Sequence, residues 1–168
     1  MRGPEASVDS ITDSVTGLPD GRVFSVVLDR KIALARRTLK PESIIYFELD
    51  EFASFAPYVR EHAMRSTSRV ITNTVRDSDT ICDLGHGVLV ALLDDTSEAG
   101  AVWAADRVRN AYTDSPSRDI VTLSAGVACY PSHAMDPQDL LDAAQAACCS
   151  AKNHGPGRIE VAIEGDTF

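Results

Sequence analysis

Apolar residues recur at helical spacing from Arg22 to Arg37, at Val23, Val26, Val27, Ile32 and Leu34, and the run stops before Pro41. This spacing predicts a helix. Residues 43–50, SIIYFELD, are a continuous apolar run closing in two carboxylates, the pattern of a buried strand that opens at an acidic end. A second helix is predicted over 58–75, with Val59, Ala63, Val70, Ile71 and Val75 available for burial. Hydroxyl residues at 66, 67, 68, 72 and 74 weaken its propensity. Beyond RDSD (76–79), the runs TICDL and GVLVALL flank Gly85-His86-Gly87, a hairpin signal. Thr96 or Ser97 caps the next helix, which puts Val102, Ala105, Val108 and Tyr112 on one face. Residues 121–130, VTLSAGVACY, predict a strand. Asp136 and Pro137 open a helix running to Lys152, as N-cap and first-turn proline. Gly155-Pro156-Gly157 stops it, and RIEVAI predicts a final strand.

Strands interleave with helices, but one adjacent pair must be antiparallel. The fold class is therefore α+β, a mixed central sheet covered by helices rather than a doubly wound parallel sheet. At 168 residues the chain makes one domain, placed at 11–163, with a linker or tail at 1–10 and a tail at 164–168. Residues 13–21, DSVTGLPDG, are turn-rich. The start, MRGPEASVDS, has no apolar core and is no signal peptide. Its vector-like character and the lack of any sensor predict a piece excised from a longer chain.

Charge narrows the partners. With 25 acidic against 16 basic side chains the formal charge is −9, which argues against nucleic acid or an anionic membrane as the main partner. A local pair of arginines can still hold a small anion. No apolar stretch reaches the roughly 18 residues of a membrane span. Cys82, Cys129, Cys148 and Cys149 lack CxxC spacing and are expected to be buried, reduced thiols of a cytoplasmic protein. His62, His86, His133 and His154 are scattered, so no zinc site is expected.

Five segments, in order, resemble the GGDEF family, the diguanylate cyclases that condense two GTP into cyclic di-GMP. Asp13–Asp20 (DSVTGLPD) is similar to the family's D-x-L-T-G-L-x-N, and Phe47–Phe52 (FELDEF) to its D-x-D-x-F strand end. Arg76–Asp79 followed by Asp83-Leu84-Gly85 is similar to R-x-x-D leading into the signature hairpin. Thr122–Gly126 is similar to T-x-S-x-G, and Ala151-Lys152 with Gly155 to the closing A-K-x-x-G. The resemblance runs from about residue 13 to 161. It implies a βαββαβ core like those of nucleotidyl cyclases and polymerase palms.

The family's chemistry joins a 3′-hydroxyl to an α-phosphate with divalent cations, which need hard oxygen ligands. One carboxylate comes from the first strand, where this chain has Glu48, with Asp50 beside it. The other comes from the hairpin, which here reads Gly85-His86-Gly87-Val88. Gly87 replaces the metal-binding acid and Val88 the catalytic acid, while His86 puts a side chain where phosphate approaches backbone. The guanine-reading positions fall at Ala56, Pro57 and Arg65. The phosphate-binding Lys152 remains, but its basic companion is Pro156. These departures predict no catalytic residues, no metal, no required cofactor and no enzyme activity. Other readings stay open. Glu48 and Asp50 can be solvated strand-end carboxylates, Lys152 can offset its helix dipole, and His86 can be an exposed turn residue. Trp103, the only tryptophan, is expected to be partly buried or a contact residue.

The family's product-inhibition motif is intact. Arg76 and Asp79 stand nine and six residues before Gly85, and this is the only Arg-x-x-Asp in the chain. Arg107 falls where a second arginine completes that site. An arginine fork can donate to guanine O6 and N7 or to phosphate, and an aspartate can accept from the guanine N1–H edge. The ligand implied is cyclic di-GMP, commonly bound in the family as an intercalated dimer, with Asp77 opposing an anion nearby. The plain alternative for Arg76 and Asp79 is a surface ion pair. Three functions follow: a silent receptor for cyclic di-GMP, an interaction module that dimerises or docks to a partner protein without nucleotide, and a residual cyclase or GTP-binding regulator. The receptor is favoured.

Overall fold

The computed structural model describes residues 11–114 and 121–164. The expected tail at 1–10, and all but residue 164 of the one at 164–168, lie outside the described residues. The elements in chain order are α1 (Gly21–Thr38), β1 (Glu42–Leu49), a 3₁₀ turn (Phe52–Ser54), α2 (Pro57–Thr74), β2 (Thr80–Gly85), β3 (Val88–Asp94), α3 (Glu98–Tyr112), β4 (Leu123–Tyr130), α4 (Pro137–Asn153) and β5 (Ile159–Val161). The sheet order is β2-β3-β1-β4-β5. β1 pairs antiparallel with β3 and β4, β2 pairs antiparallel with β3, and β4 pairs parallel with β5. This is the α+β mixed sheet that the order of patterns predicts, with β1 at its centre and the βαββαβ core running from β1 to β4.

Side chains alternate across a strand, and here the alternation divides the core in two. Ile45, Phe47 and Leu49 of β1, with Leu89, Ala91 and Leu93 of β3, pack against α2 and α3. Ile44 and Tyr46, with Val88, Val90 and Leu92, pack against α1 and α4. Cover on both faces explains why β1 reads as an unbroken apolar run. On β4, Gly126 lies under α4 so closely that a Cβ there would come 2.1 Å from the Ala144 carbonyl oxygen.

Helices α1, α3 and α4 start on side-chain caps. Asp20 accepts from the backbone N–H groups of Arg22 and Val23, and Asp136 from those of Gln138 and Asp139. Ser97, not Thr96, caps α3 by accepting from the Gly100 N–H. In α2 the hydroxyls of Thr67, Ser68 and Thr74 donate to carbonyls of their own helix, so Thr67 and Ser68 are buried without orphaned donors.

The helix predicted from Arg22 to Arg37 forms, and one expectation, the burial of all four cysteines, is corrected. The buried stripe of α1 is Phe24, Leu28, Ile32 and Ala35, while Val26 and Leu34 are 54% and 53% exposed. The buried four are spaced by four, four and three residues and share a face. Val26 lies two residues from Phe24, about 200° around the helix. Cys82, Cys129 and Cys148 are buried, but Cys149 is exposed, because its neighbour takes the core-facing position. Burial raises the Cys82 thiol to about 11 and that of Cys148 to about 12, so both are held as inert thiols. No described helix is long and apolar enough to cross a membrane.

Candidate functional site

Two clefts flank β1, one at each end. The first forms where α2 gives way to β2. Asp79 accepts from the Arg76 backbone N–H at 2.9 Å through Oδ2 and from the Asp94 N–H at 3.2 Å through Oδ1. Its side chain is 3% exposed, so the carboxylate orders the turn and presents almost no surface of its own. The Arg76 guanidinium donates to the Asp94 carbonyl at 2.7 Å and to Thr96 Oγ1 at 2.8 Å, and its link to Asp79 is longer, at 3.5 Å. These bonds anchor the guanidinium through one terminal nitrogen, Nη2, while the side chain stays 60% exposed.

The facing wall is α3. Gly100, Trp103, Ala104 and Arg107 follow at i, i+3, i+4 and i+7, one helix face. The Arg107 guanidinium stacks 4.7 Å from the centre of the Trp103 ring. Trp103 is 62% exposed, so the partly buried alternative for it does not hold. Arg76, Asp79, Thr96, Trp103 and Arg107 line one open cleft of about 320 Å³. The three residues singled out in the sequence are therefore brought together, although Arg107 lies on a different element. Asp77 is exposed on the turn, as expected of a nearby opposing charge.

The second cleft, of about 400 Å³, lies beyond Leu49 and is lined by Asp50, Glu51, Phe55, Thr122, Lys152 and Pro156 among others. Glu48 and Lys152 form an ion pair at 2.6 Å, with both side chains half-buried. The Glu48 hydrogen bond holds the Lys152 ammonium above its ordinary range. Asp50 accepts from Thr122 Oγ1 at 2.5 Å, from Ser124 Oγ at 2.9 Å and from the Gly157 N–H at 3.4 Å. Neither acid is the solvated strand-end carboxylate of the plain reading. Of the other positions, Ala56 precedes α2 without a side-chain cap, Pro57 is its first residue, and exposed Arg65 lies 3.8 Å from Glu61.

The hairpin closes through three left-handed residues in succession, Gly85, His86 and Gly87, at φ of 81°, 55° and 82°. His86 is exposed, as expected for a turn tip. Gly87 is buried, and a Cβ there would lie 2.6 Å from Phe52 Cγ. Val88 packs into the core facing α1. The space a longer side chain would need at residue 87 is filled by an aromatic ring from the loop after β1.

Three contributors escape the sequence reading. Phe52 is one, since its contact with Gly87 is long-range. Asp83, 4% exposed, is another. It accepts from Thr16 Oγ1 and the Gly85 N–H and ties the N-terminal turn to the hairpin base, and burial raises its carboxyl. The third is Glu42, 4% exposed, whose carboxyl is raised to about 8 by burial and by the Asp94 carboxylate, itself bound to Lys31 at 2.6 Å. Glu42 Oε1 and Asp94 Oδ1 are both buried without a partner, and one proton between them would satisfy the pair. A charged residue opening an apolar strand is the only sequence trace of this.

The family described as "Diguanylate cyclase, GGDEF domain" matches residues 10–158. The diguanylate cyclase DosC of Escherichia coli K12 is 27% identical over 159 residues, which cover 89% of this chain and 34% of that protein. The chain thus spans about a third of the length of the curated relatives it matches. Among solved structures, a form of Pseudomonas aeruginosa PA1120 (TpbB or YfiN) comprising only the GGDEF domain superposes with a TM-score of 0.82 at 25% identity. It covers 90% of this chain and 94% of that one. The GGDEF domain of DgcB from Caulobacter crescentus, in complex with c-di-GMP, has a TM-score of 0.77 at 18% identity, covering 91% and 96%, a likeness of fold alone.

Proposed function

Because the chain belongs to the GGDEF domain family of diguanylate cyclases, we propose that it is a catalytically silent member that binds cyclic di-GMP between Arg76 and Arg107. The observation that carries this reading is the meeting of the two arginines in one cleft, with Arg76 anchored through a single guanidinium nitrogen and its side chain still largely exposed. Each guanidinium is a planar fork suited to phosphate oxygens or to guanine O6 and N7, a geometry that lysine lacks. Asp79 acts as a positioning residue: it holds the turn that aims Arg76. Cyclic di-GMP bound to the DgcB domain, which shares this fold, supports the choice of ligand.

The silent half of the reading rests on the second cleft. Family chemistry calls for divalent cations held by oxygen ligands, and the donor set here does not fit them. Gly87 and Val88 carry no side-chain oxygen, Phe52 fills the place of a side chain at 87, Glu48 is engaged by Lys152, and Asp50 by two hydroxyls and an amide. No cyclisation step is therefore assigned to this chain.

Titration calorimetry with cyclic di-GMP should show micromolar or tighter binding that Arg76→Ala removes. A flat titration at high protein concentration refutes the receptor. Product formed from GTP and magnesium refutes the silence.

A further inference from the structure

From the exposed indole beside Arg107 we infer that Trp103 is a specificity-determining residue of the receptor cleft, a stacking surface for one guanine of the dinucleotide. This rests on the receptor reading above and adds a residue to it. At about 320 Å³ the cleft is at the small end of ligand pockets, which run from roughly 300 to 1,000 Å³. It holds a base and its adjoining phosphate, not a whole cyclic dinucleotide. Arg76 supplies the donor fork on one wall, and the other wall is the stacked pair of Trp103 and Arg107.

The sequence of α3 shapes that wall. Gly100 and Ala104 are small and recede beside Trp103, which leaves the ring standing out from the helix at 62% exposure. A Cβ at Gly100 would meet Thr96 Cγ2 at 3.0 Å, so a larger residue there would crowd the threonine that accepts from Arg76. An indole with a guanidinium over its face presents a flat, polarisable surface next to a cation. A purine offers the matching face, with acceptors at its edge and a phosphate within reach of the cation. Stacking discriminates planar bases from other anions, which two arginines alone do not.

Trp103 is the chain's only tryptophan, so its emission reports on this cleft and no other part of the protein. The test titrates cyclic di-GMP into the wild-type chain and the Trp103→Leu, Trp103→Phe and Arg76→Ala proteins, by calorimetry and, for the tryptophan-containing forms, by fluorescence. Wild-type emission should change saturably at the concentrations where calorimetry shows binding. Trp103→Leu should weaken binding by about 5- to 150-fold, the range for loss of one base–aromatic stack. Trp103→Phe should keep most of the affinity. The exposed site makes all three variants fold normally, checked by unchanged circular dichroism. If Trp103→Leu binds as tightly as wild type and wild-type emission stays constant while Arg76→Ala loses binding, the stacking role is wrong and the receptor stands. No binding by the wild-type chain overturns both.

Discussion

Glu48 and Asp50 mark the closing end of β1, and Arg76 and Arg107 gather near its opening end, where Glu42 pairs in register with Asp94. The two ends are about 20 Å apart at roughly 3.3 Å per residue. At the closing end charge is cancelled internally: an ammonium covers one carboxylate, hydroxyls and an amide cover the other, and an aromatic ring takes the room beside the hairpin. At the opening end the buried acid, Asp79, is used to hold a turn, and the cations are left facing solvent. Binding capacity is kept where structural bonds occupy only part of a charged tip: Arg76 is anchored through one guanidinium nitrogen and its side chain stays 60% exposed. Capacity is lost where an opposite charge cancels the group, as Lys152 does Glu48, or where donors take both oxygens, as at Asp50.

Restoring acid to the hairpin is the most severe way to break this contrast. Gly87→Asp forces a Cβ into Phe52 at a left-handed φ. Overpacking and backbone strain together should cost about 2–5 kcal/mol, read as a lower Tm, and no cyclic di-GMP should form from GTP and magnesium. Turnover in that variant would show that the closing end needs only its carboxylate back. Next in size is Arg76→Ala, which should weaken cyclic di-GMP binding by at least about 100-fold, near 2.7 kcal/mol. Retained affinity would make the exposed arginine incidental and erase the difference between the ends.

A smaller effect concerns the acid pair beneath the opening end. The Glu42 carboxyl titrates near 8 when folded, against an ordinary 4.5 when unfolded. Between these values the folded state holds the extra proton, so the stabilisation is complete below about pH 4.5 and is lost as pH rises through 8. Glu42→Gln, neutral throughout, should remove that slope. Thermal melts should put it about 2–6 °C above wild type at pH 8.5, with the two converging at acid pH. Parallel melting curves across this range would mean that the pair is not held protonated. Least of all, Lys152→Met should change stability by under about 1 kcal/mol, because a half-exposed ion pair is screened. A larger loss in denaturant titration would make the Glu48 contact a structural anchor rather than a cover.

Element order was legible because each strand is an apolar run bounded by turn residues, and β1 in particular has no polar face to hide. The phase of α1 was not: valines and larger apolar residues both recur in it, and only the sheet beneath decides which set is buried. Arg76, Asp79 and Arg107 could be named from spacing and family likeness, but their meeting depends on α3 crossing behind the Arg76 turn. The burial of Asp50 was not legible, and a solvated carboxylate stayed open as a reading, because its partners Thr122 and Ser124 arrive with β4, 72 and 74 residues later. Phe52 against Gly87 was hidden for the same reason, since a contact between a loop and a hairpin has no local signature.

Gly126 sets a height. With only a hydrogen there, α4 rests backbone to backbone on the middle of the sheet, and its far end is low enough for the Lys152 ammonium to touch Glu48. A single methyl group at that point would act as a shim, tilting the rod and lifting its tip away from the acid it now covers.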